Sequence, residues 1–274
     1  MRINVLIEDK EHSSLLYEHG LSFSIDYNGD HYLLDAGKTS LFIDNAKALN
    51  IPLNDLKACF LSHGHYDHAG GFKALIELYS DIQIYAMESA LLPNYSISHG
   101  HFHEVSIPAD VLKYKDHFKI INKPLEIYKG VYLIPHNKSY EHIGKKCGMY
   151  KNEYEYDDFS HELSLVFDTD KGLVIFNSCS HAGLANIVEE VKEYIPNTSI
   201  YAYIGGLHLI GESENLGDCA YSREELKEIA DYIVKEDIQI IYTGHCTGKT
   251  GYEVLEEYLA NRISPLYVGL EIEI

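Results

Sequence analysis

Residues 61–71, with the sequence LSHGHYDHAGG, constrain this chain more than any other stretch, because three histidines and one aspartate fall within six residues. The apolar run just before them, residues 58–61, predicts a buried strand. Phe72, Leu75 and Ile76 follow at helical spacing, which predicts an amphipathic helix. The cluster is therefore expected on a strand-to-helix turn that is held at both ends.

These side chains are typical metal ligands, and their spacing suggests how they are shared. Residues two apart in an extended backbone face the same way, so His63 and His65 can present both imidazoles to one cation. Asp67 and His68 come after the bend and are expected to point elsewhere, toward a second cation. Paired metals in hydrolytic enzymes lie about 3.5–4 Å apart. A polar surface turn is the alternative, and it explains this density of ligand-type side chains poorly.

The pattern His-x-His-x-Asp-His before a Gly-Gly helix start resembles the signature of the metallo-β-lactamase superfamily of binuclear metal hydrolases. Four further segments extend the resemblance over nearly the whole chain: LLDAG at 33–37, SCSH at 178–181, GGLHL at 205–209 and TGHCTG at 243–248. The last three resemble one branch, whose chemistry is dihydropterin-related. The resemblance implies an α/β fold, an αββα sandwich with the metals at one sheet edge.

The resemblance also assigns roles to single residues. His63 and His65 match ligands of the first metal, Asp67 and His68 match ligands of the second, and His245 matches the late histidine that completes the second. Two divalent ions are implied, with zinc expected first and manganese or iron as alternatives for mixed nitrogen and oxygen ligands. Asp67 is predicted to be catalytic as well as a ligand.

The match is incomplete at the remaining ligand positions, because Cys179 stands where the superfamily has a bridging aspartate. His181 is the predicted substitute ligand of the first metal, and Glu162 is a weaker one. Cys179 is either a thiolate ligand, since metals lower the pKa of thiols, or a buried structural cysteine. Asp35 matches a residue that orients the metal loop without binding metal.

His208 resembles a histidine that acts near the leaving group in relatives, and a side chain with a neutral-range pKa can donate a proton there. We therefore predict general acid catalysis by His208, with a core histidine as the alternative. His181, His208 and His245 each follow an apolar strand, and strand ends on one sheet edge can converge.

Composition narrows the partners and the setting of the protein. A formal charge of −20 disfavours nucleic acid and acidic membrane surfaces, which need clustered Lys and Arg. An anionic substrate must then be attracted locally by metal. The start of the sequence lacks a basic and apolar leader, no apolar run has transmembrane length, and five cysteines lack framework spacing. These features predict a cytoplasmic protein.

A single domain is expected over residues 1–274, with irregular insert or lid segments near 93–130 and 136–160. The first segment holds a second histidine cluster, residues 99–103, which is either a metal site, a substrate-side element or a strand with an aromatic face. His101, Lys145 and Lys146 are candidate substrate contacts, although two solvated lysines are the simpler interpretation of the last pair.

Together these features predict a binuclear metal-dependent hydrolase or transferase that acts on a phosphorylated small molecule, with a pterin-related compound as one option. The alternatives are a lactonase, thioesterase or phosphodiesterase/nuclease of the same superfamily, and a non-catalytic metal- or ligand-binding protein that keeps the fold. The substrate and the oligomeric state are left open by the sequence.

Overall fold

The computed structural model describes residues 1–98, 100–211 and 218–274. His99, the first member of the second histidine cluster, lies outside them. Contacts within the chain define two compact units. The first unit comprises Met1–Pro93, Val105–Asn122 and Leu266–Ile274, and the second comprises Asn94–Glu104 and Lys123–Pro265.

Strands and helices alternate along the described chain. The strands are β1 (Arg2–Ile7), β2 (Ser22–Tyr27), β3 (Asp30–Leu34), β4 (Ala58–Phe60), β5 (Ile84–Ala86), β6 (Tyr95–Ser98), β7 (His101–Glu104), β8 (Phe118–Ile120), β9 (Leu125–Tyr128), β10 (Val131–Pro135), β11 (Met149–Asn152), β12 (Glu155–Tyr156), β13 (Leu163–Thr169), β14 (Gly172–Phe176), β15 (Ile200–Ile204), β16 (Ile240–Thr243), β17 (Ile263–Pro265) and β18 (Glu271–Glu273). The α-helices are α1 (Leu41–Ala48), α2 (Tyr66–Ala69), α3 (Phe72–Leu78), α4 (Glu141–Cys147), α5 (Leu184–Tyr194), α6 (Arg223–Lys235) and α7 (Lys249–Leu259). Short 3₁₀ helices occupy Ser89–Leu91, Leu112–His117, His245–Thr247 and Ala260–Arg262.

The first unit is built on one seven-stranded sheet in the order β18-β1-β2-β3-β4-β5-β8. The dipeptide Asn28-Gly29 predicts a hairpin with a type I′ turn. Strands β2 and β3 form this hairpin, and the two turn residues have the required positive φ angles of 53° and 83°. Strands β3, β4 and β5 are parallel neighbours, so their C-terminal ends meet at one edge of the sheet. The predicted metal loop leaves β4 at that edge.

The second unit contains a seven-stranded sheet in the order β17-β16-β15-β14-β13-β10-β9. Its strands β14, β15 and β16 are parallel neighbours, which brings three more strand ends to a common edge. Ser222 followed three residues later by Glu225 predicts a capping box. The structure contains it: the Ser222 hydroxyl accepts from the Glu225 amide, and the Glu225 carboxylate accepts from the Ser222 amide. This reciprocal pair begins α6, whose buried face carries Leu226, Ala230 and Ile233.

The second unit also holds a four-stranded sheet in the order β12-β11-β6-β7, formed by the segments predicted to be irregular. Phe102 stacks on Tyr95 with ring centroids 5.1 Å apart, and Tyr150 packs against Phe102 at 5.7 Å. Residues 101–104 are exposed, so the local pattern shows no buried face that would mark a strand. The expectation of irregular structure was wrong, because pairing between distant segments forms these strands. Of the alternatives for the second histidine cluster, residues 101–104 form the strand with an aromatic face.

One other element differs from the sequence expectation. The sequence of residues 266–268 predicts a closing strand, but the chain instead forms β17 before this stretch and β18 after it. The mixed α/β class is confirmed. No helix among residues 1–98, 100–211 and 218–274 is long and apolar enough to span a membrane. None of the five cysteines, all within the described residues, forms a disulfide.

Candidate metal centre

Asp35 holds the predicted metal loop, residues 61–71, in place within the first unit. It follows β3, is fully buried, and has a left-handed backbone with φ of 56°. Its Oδ1 accepts from the Ser62 amide at 2.8 Å, and its Oδ2 accepts from the Ser62 hydroxyl at 2.7 Å and from His68 Nδ1 at 2.8 Å. One carboxylate therefore holds both the start and the end of the loop, as predicted for a residue that orients ligands.

The same carboxylate sets the tautomers of two histidines. Because the Ser62 hydroxyl donates to Asp35, its oxygen is left to accept from His63 Nδ1, which lies 2.7 Å away. His68 donates its own Nδ1 proton to Asp35 directly. Both rings are thus protonated at Nδ1, and the Nε2 lone pairs of His63 and His68 are the ones that can bind a metal.

The three imidazoles of the motif form one buried group. The ring centroid of His63 lies 4.5 Å from that of His65 and 4.2 Å from that of His68. The single turn of α2 brings His68 Nδ1 to Asp35, and the assignment of His63 and His68 to different metals stays a prediction. The predicted closeness of His63 and His65 is observed.

Asp67 lies within the same turn and is buried, with 6% of its surface exposed. Its Oδ2 is 3.6 Å from His68 Nε2. Two ligand atoms about 2.1 Å from one tetrahedral ion are about 3.4 Å apart. Imidazole nitrogens and a carboxylate suit zinc, manganese and iron alike, so the donor set and this spacing fit a divalent metal.

The Gly-Gly pair after the motif has a packing role. A Cβ atom on Gly70 would lie 2.0 Å from the carbonyl oxygen of Lys38, and one on Gly71 would lie 2.1 Å from that of Ala36. Any side chain at these positions would push the metal loop away from the segment that follows Asp35. The two glycines let the loop and this segment approach closely enough for the Asp35 hydrogen bonds to form.

In the second unit, the turns after β14, β15 and β16 carry the later predicted ligands. Each turn contains a residue with a left-handed backbone: Ser180 with φ of 53°, His208 with 44° and His245 with 47°. Such conformations cost about 1–3 kcal/mol each and persist where the surroundings over-determine them. The predicted convergence of these strand ends is observed within this unit.

Cys179, His181 and His245 come close together in that unit. Potential ligand atoms of Cys179 and His181 lie within 4.8 Å of one another, as do those of Cys179 and His245. Cys179 and His181 are buried, and the Cys179 carbonyl accepts from the Cys246 thiol at 3.5 Å. This placement is compatible with both roles considered for Cys179.

The carboxylate of Glu162, the weaker candidate ligand, binds two backbone amides. Its Oε1 accepts from the His181 amide at 2.8 Å and its Oε2 accepts from the Ala182 amide at 2.9 Å. Burial raises its pKa, while His136 and these two amides act in the opposite direction. Glu162 therefore clamps the turn that carries His181, and both of its oxygens are engaged there.

His208 packs against His181, with ring centroids 4.1 Å apart. Burial by itself would lower the pKa of His208. The charge of Cys147 and the hydrogen bond with it, together with the hydrogen bond and charge of Cys246, instead raise the pKa of His208 to about 10. These neighbours favour the protonated form of His208, and its role as a general acid stays a prediction.

Cys246 interacts with His208 through a hydrogen bond and through its charge. Burial would raise the pKa of its thiol, but its contacts with Cys179 and His208 and the charge of His245 lower it well below the usual range. A Cβ on Gly206 would lie 2.4 Å from the Cys246 sulfur, so this glycine makes room for it.

The three candidate substrate contacts are placed differently. His101 is exposed on β7, and Lys145 is exposed on α4. Lys146 forms an ion pair with Glu225, and its ammonium lies 4.1 Å from the ring centroid of Tyr221. Lys146 thus links two parts of the second unit, which accounts for it without a phosphate.

Sequence reasoning missed several residues near these sites. Ser62 could have been identified from the sequence, because it directly precedes His63. The buried pair Asp157 and His161, 3.0 Å apart, lacks a motif. Burial opposes ionisation of His161, yet the Asp157 charge raises its pKa overall. His19, 3.3 Å from Asp67 Oδ2, also lacks any local signal.

Known proteins resemble this chain in sequence and in fold. Residues 18–144 match the model of the Metallo-beta-lactamase superfamily. A curated protein of Methanocaldococcus jannaschii, 7,8-dihydropterin-6-methyl-4-(beta-D-ribofuranosyl)-aminobenzene-5'-phosphate synthase, is 28% identical, with 98% of this chain and 95% of the relative covered.

Solved structures extend the similarity. A crystal structure described as a metal-dependent hydrolase of the beta-lactamase superfamily superposes with a TM-score of 0.82 at 28% identity, covering 100% of this chain and 99% of that one. Zn²⁺-bound PqqB from Methylobacterium extorquens shares the fold, with a TM-score of 0.60, 12% identity and 100% coverage of both chains. The chain has the metallo-β-lactamase fold, and the predicted resemblance to this superfamily is confirmed. The similarity to the synthase confirms the resemblance to the dihydropterin-related branch.

Proposed function

We propose that this protein is a binuclear metal-dependent hydrolase or transferase whose substrate is a phosphorylated small molecule. The proposed ligands are the residues that the sequence singles out: His63, His65, Asp67, His68, His181 and His245, with Cys179 as an alternative donor. Zinc is the expected metal, with manganese or iron also suited to the donor set.

The observation that carries the proposal is the double use of Asp35. A polar surface turn would not need an arrangement that connects the Nδ1 atoms of both His63 and His68 to one carboxylate. Ligand histidines commonly donate their second ring proton to a carboxylate or a carbonyl, which fixes the tautomer and increases ligand basicity. The metal loop shows this arrangement twice around one residue.

Bound divalent ions would supply Lewis acidity toward phosphate oxygens and a water of lowered pKa. The chain's own contribution is to hold the Nε2 atoms of His63 and His68 and the carboxylate of Asp67 in a buried turn. Preformed ligand geometry limits the reorganisation that would otherwise accompany metal binding. His208, with its raised pKa, is proposed to hold a proton for a leaving group.

The substrate class follows from charge and from the relative. A protein with a formal charge of −20 repels anions at long range, so a phosphorylated substrate needs strong local attraction, which the proposed metals provide. The synthase relative is named for a 5'-phosphate compound. A phosphorylated, pterin-related molecule is therefore the proposed substrate type.

The test uses purified protein, stripped with EDTA and reloaded with Zn²⁺ or Mn²⁺. Elemental analysis should give about two metals per chain. Turnover is then measured on phosphomonoesters, phosphodiesters, diphosphates, thioesters, lactones and phosphorylated pterin precursors. We expect metal-dependent turnover of phosphorylated compounds, lost in His63→Ala. His12→Ala is the matched control, since His12 is exposed and packs on Tyr267 at 4.4 Å.

Each other result identifies a different function. One metal per chain after full reloading contradicts the binuclear centre. Turnover of thioesters or lactones alone supports the corresponding hydrolase and contradicts the phosphorylated substrate. Stoichiometric metal binding with no turnover on any compound supports a metal- or ligand-binding protein that keeps the fold.

A further inference from the structure

We propose that His19, oriented by Asp9, is a further metal ligand beside Asp67 and His68 in the first unit. The inference rests on the function proposed above, because it adds a ligand to the same centre. Neither residue lies in the histidine motif, and no local pattern marks them. The argument comes from three contacts around residues 18–20.

The first contact fixes the ring of His19. Its Nδ1 lies 2.7 Å from Asp9 Oδ2, while the other oxygen of the same carboxylate accepts from the Gly20 amide at 3.1 Å. Asp9 thus holds both the side chain of residue 19 and the backbone of residue 20. A carboxylate on Nδ1 leaves Nε2 as the metal-binding atom, as Asp35 does for His68.

The second contact places that Nε2 beside a proposed ligand. It lies 3.3 Å from Asp67 Oδ2, and the same oxygen lies 3.6 Å from His68 Nε2. Ligand atoms about 2.1 Å from one tetrahedral ion are separated by about 3.4 Å, so both distances match donors that share a cation. His19 is half-exposed, whereas Asp67 and His68 are buried.

The third contact explains why the chain passes so close. Gly20 has φ of 142°, and a Cβ there would lie 2.2 Å from the Asp67 carbonyl oxygen. Just before it, Glu18 accepts from the Lys38 and Thr39 amides at 3.1 and 2.8 Å. Residues 18–20 are thus hydrogen-bonded to the segment after Asp35 and packed closely against the backbone of Asp67.

A rival interpretation makes the opposite prediction. If His19 is an imidazolium paired with Asp9 and Asp67, its positive charge repels a divalent ion at Asp67. Removing it would then strengthen metal binding. If His19 is a ligand, removing it weakens metal binding and changes the coordination. The sign of the change in affinity decides between them.

The experiment measures metal affinity of full-length protein by competition with a chromophoric chelator, and the visible absorption of the Co²⁺-loaded form. His19→Ala should weaken the binding of one of the two metals by about 10–100-fold and shift the absorption bands of the Co²⁺-loaded protein. Asp9→Asn should lower the affinity for the same metal by about 10-fold, with a smaller spectral change. His12→Ala, in the same segment, should match the wild type.

Unchanged or tighter binding in His19→Ala, with unchanged Co²⁺ bands, overturns the assignment. Circular dichroism and the unfolding midpoint check each fold, and His19→Gln replaces His19→Ala if the latter does not fold. A wild-type protein that binds no metal contradicts the proposed function itself. A wild type that binds two metals alongside a His19 variant of equal affinity contradicts only the role of His19.

Discussion

Substitution of Asp35 separates the two roles that the structure gives this residue, namely stability and ligand orientation. Asp35→Ala removes the acceptor of three hydrogen bonds, from the Ser62 amide, the Ser62 hydroxyl and His68 Nδ1. Losing one partner of a buried charged group costs about 3–5 kcal/mol. Alanine also lacks the side chain that lets Asp and Asn adopt a left-handed backbone, here with φ of 56°. We expect this variant to be severely destabilised.

Asp35→Asn is the informative variant, because it keeps the shape and tolerates the same backbone. Its oxygen can still accept from the Ser62 amide, but its NH₂ group faces His68 Nδ1. That ring can accept from the amide only as the tautomer protonated at Nε2, which cannot bind a metal. We expect a loss of about 1.5–3 kcal/mol in the free energy of unfolding. Metal affinity should fall by about 10–100-fold.

Urea unfolding in EDTA measures the stability of the metal-free protein, and chelator competition measures the affinity of the refolded samples. Ser24→Ala serves as the control, since Ser24 is buried on the neighbouring β2 and its hydroxyl bonds His31 at 2.8 Å, outside the metal loop. Its metal affinity should equal that of the wild type. Wild-type metal affinity in Asp35→Asn would refute the tautomer argument, whatever its stability.

Three further predictions concern the second unit. His181→Ala should lose metal. Glu162→Gln should keep its metal and lose about 1–3 kcal/mol of stability, because the new amide oxygen can still accept from one N–H of the turn. Equal, full metal occupancy of both variants by elemental analysis would remove His181 from the ligands, and retained metal in Cys179→Ser would make that cysteine structural. His208→Ala should keep both metals and slow turnover of alkoxide-leaving substrates by about 10²–10⁴-fold, but slow nitrophenyl esters much less; equal losses exclude the acid role. Burial would raise the pKa of Glu190, yet the hydrogen bond and charge of His136 lower it overall. The stability from that carboxylate is therefore present above its unfolded pKa of about 4.3 and lost as the pH falls through the lower folded value. Glu190→Gln should be destabilised in urea at pH 7 and approach the wild type in strong acid, and a difference that grows on acidification would contradict the sign.

The metal loop and most regular elements were predictable because their determinants are local. A buried strand, a ligand-rich turn and an amphipathic helix are each encoded within about a dozen residues around His63. The Asn28-Gly29 hairpin and the Ser222 capping box are equally local signals, and both are confirmed. By contrast, β6 and β7 lack a buried face, so only pairing with β11 reveals their sheet.

The sequence by itself determined the class of fold and indicated the turn that carries the proposed metal ligands, since four ligand-type residues at fixed spacing on one turn need no tertiary information. Only the tertiary structure decided what the neighbours of that turn do. It turned Glu162 into a clamp of backbone amides, gave His208 its raised pKa, joined Ser62 and His68 through Asp35, and brought His19 against Asp67. A carboxylate, an imidazole or a thiol has no fixed role in the sequence. Its hydrogen-bond partners and burial set that role, and both depend on residues far away along the chain.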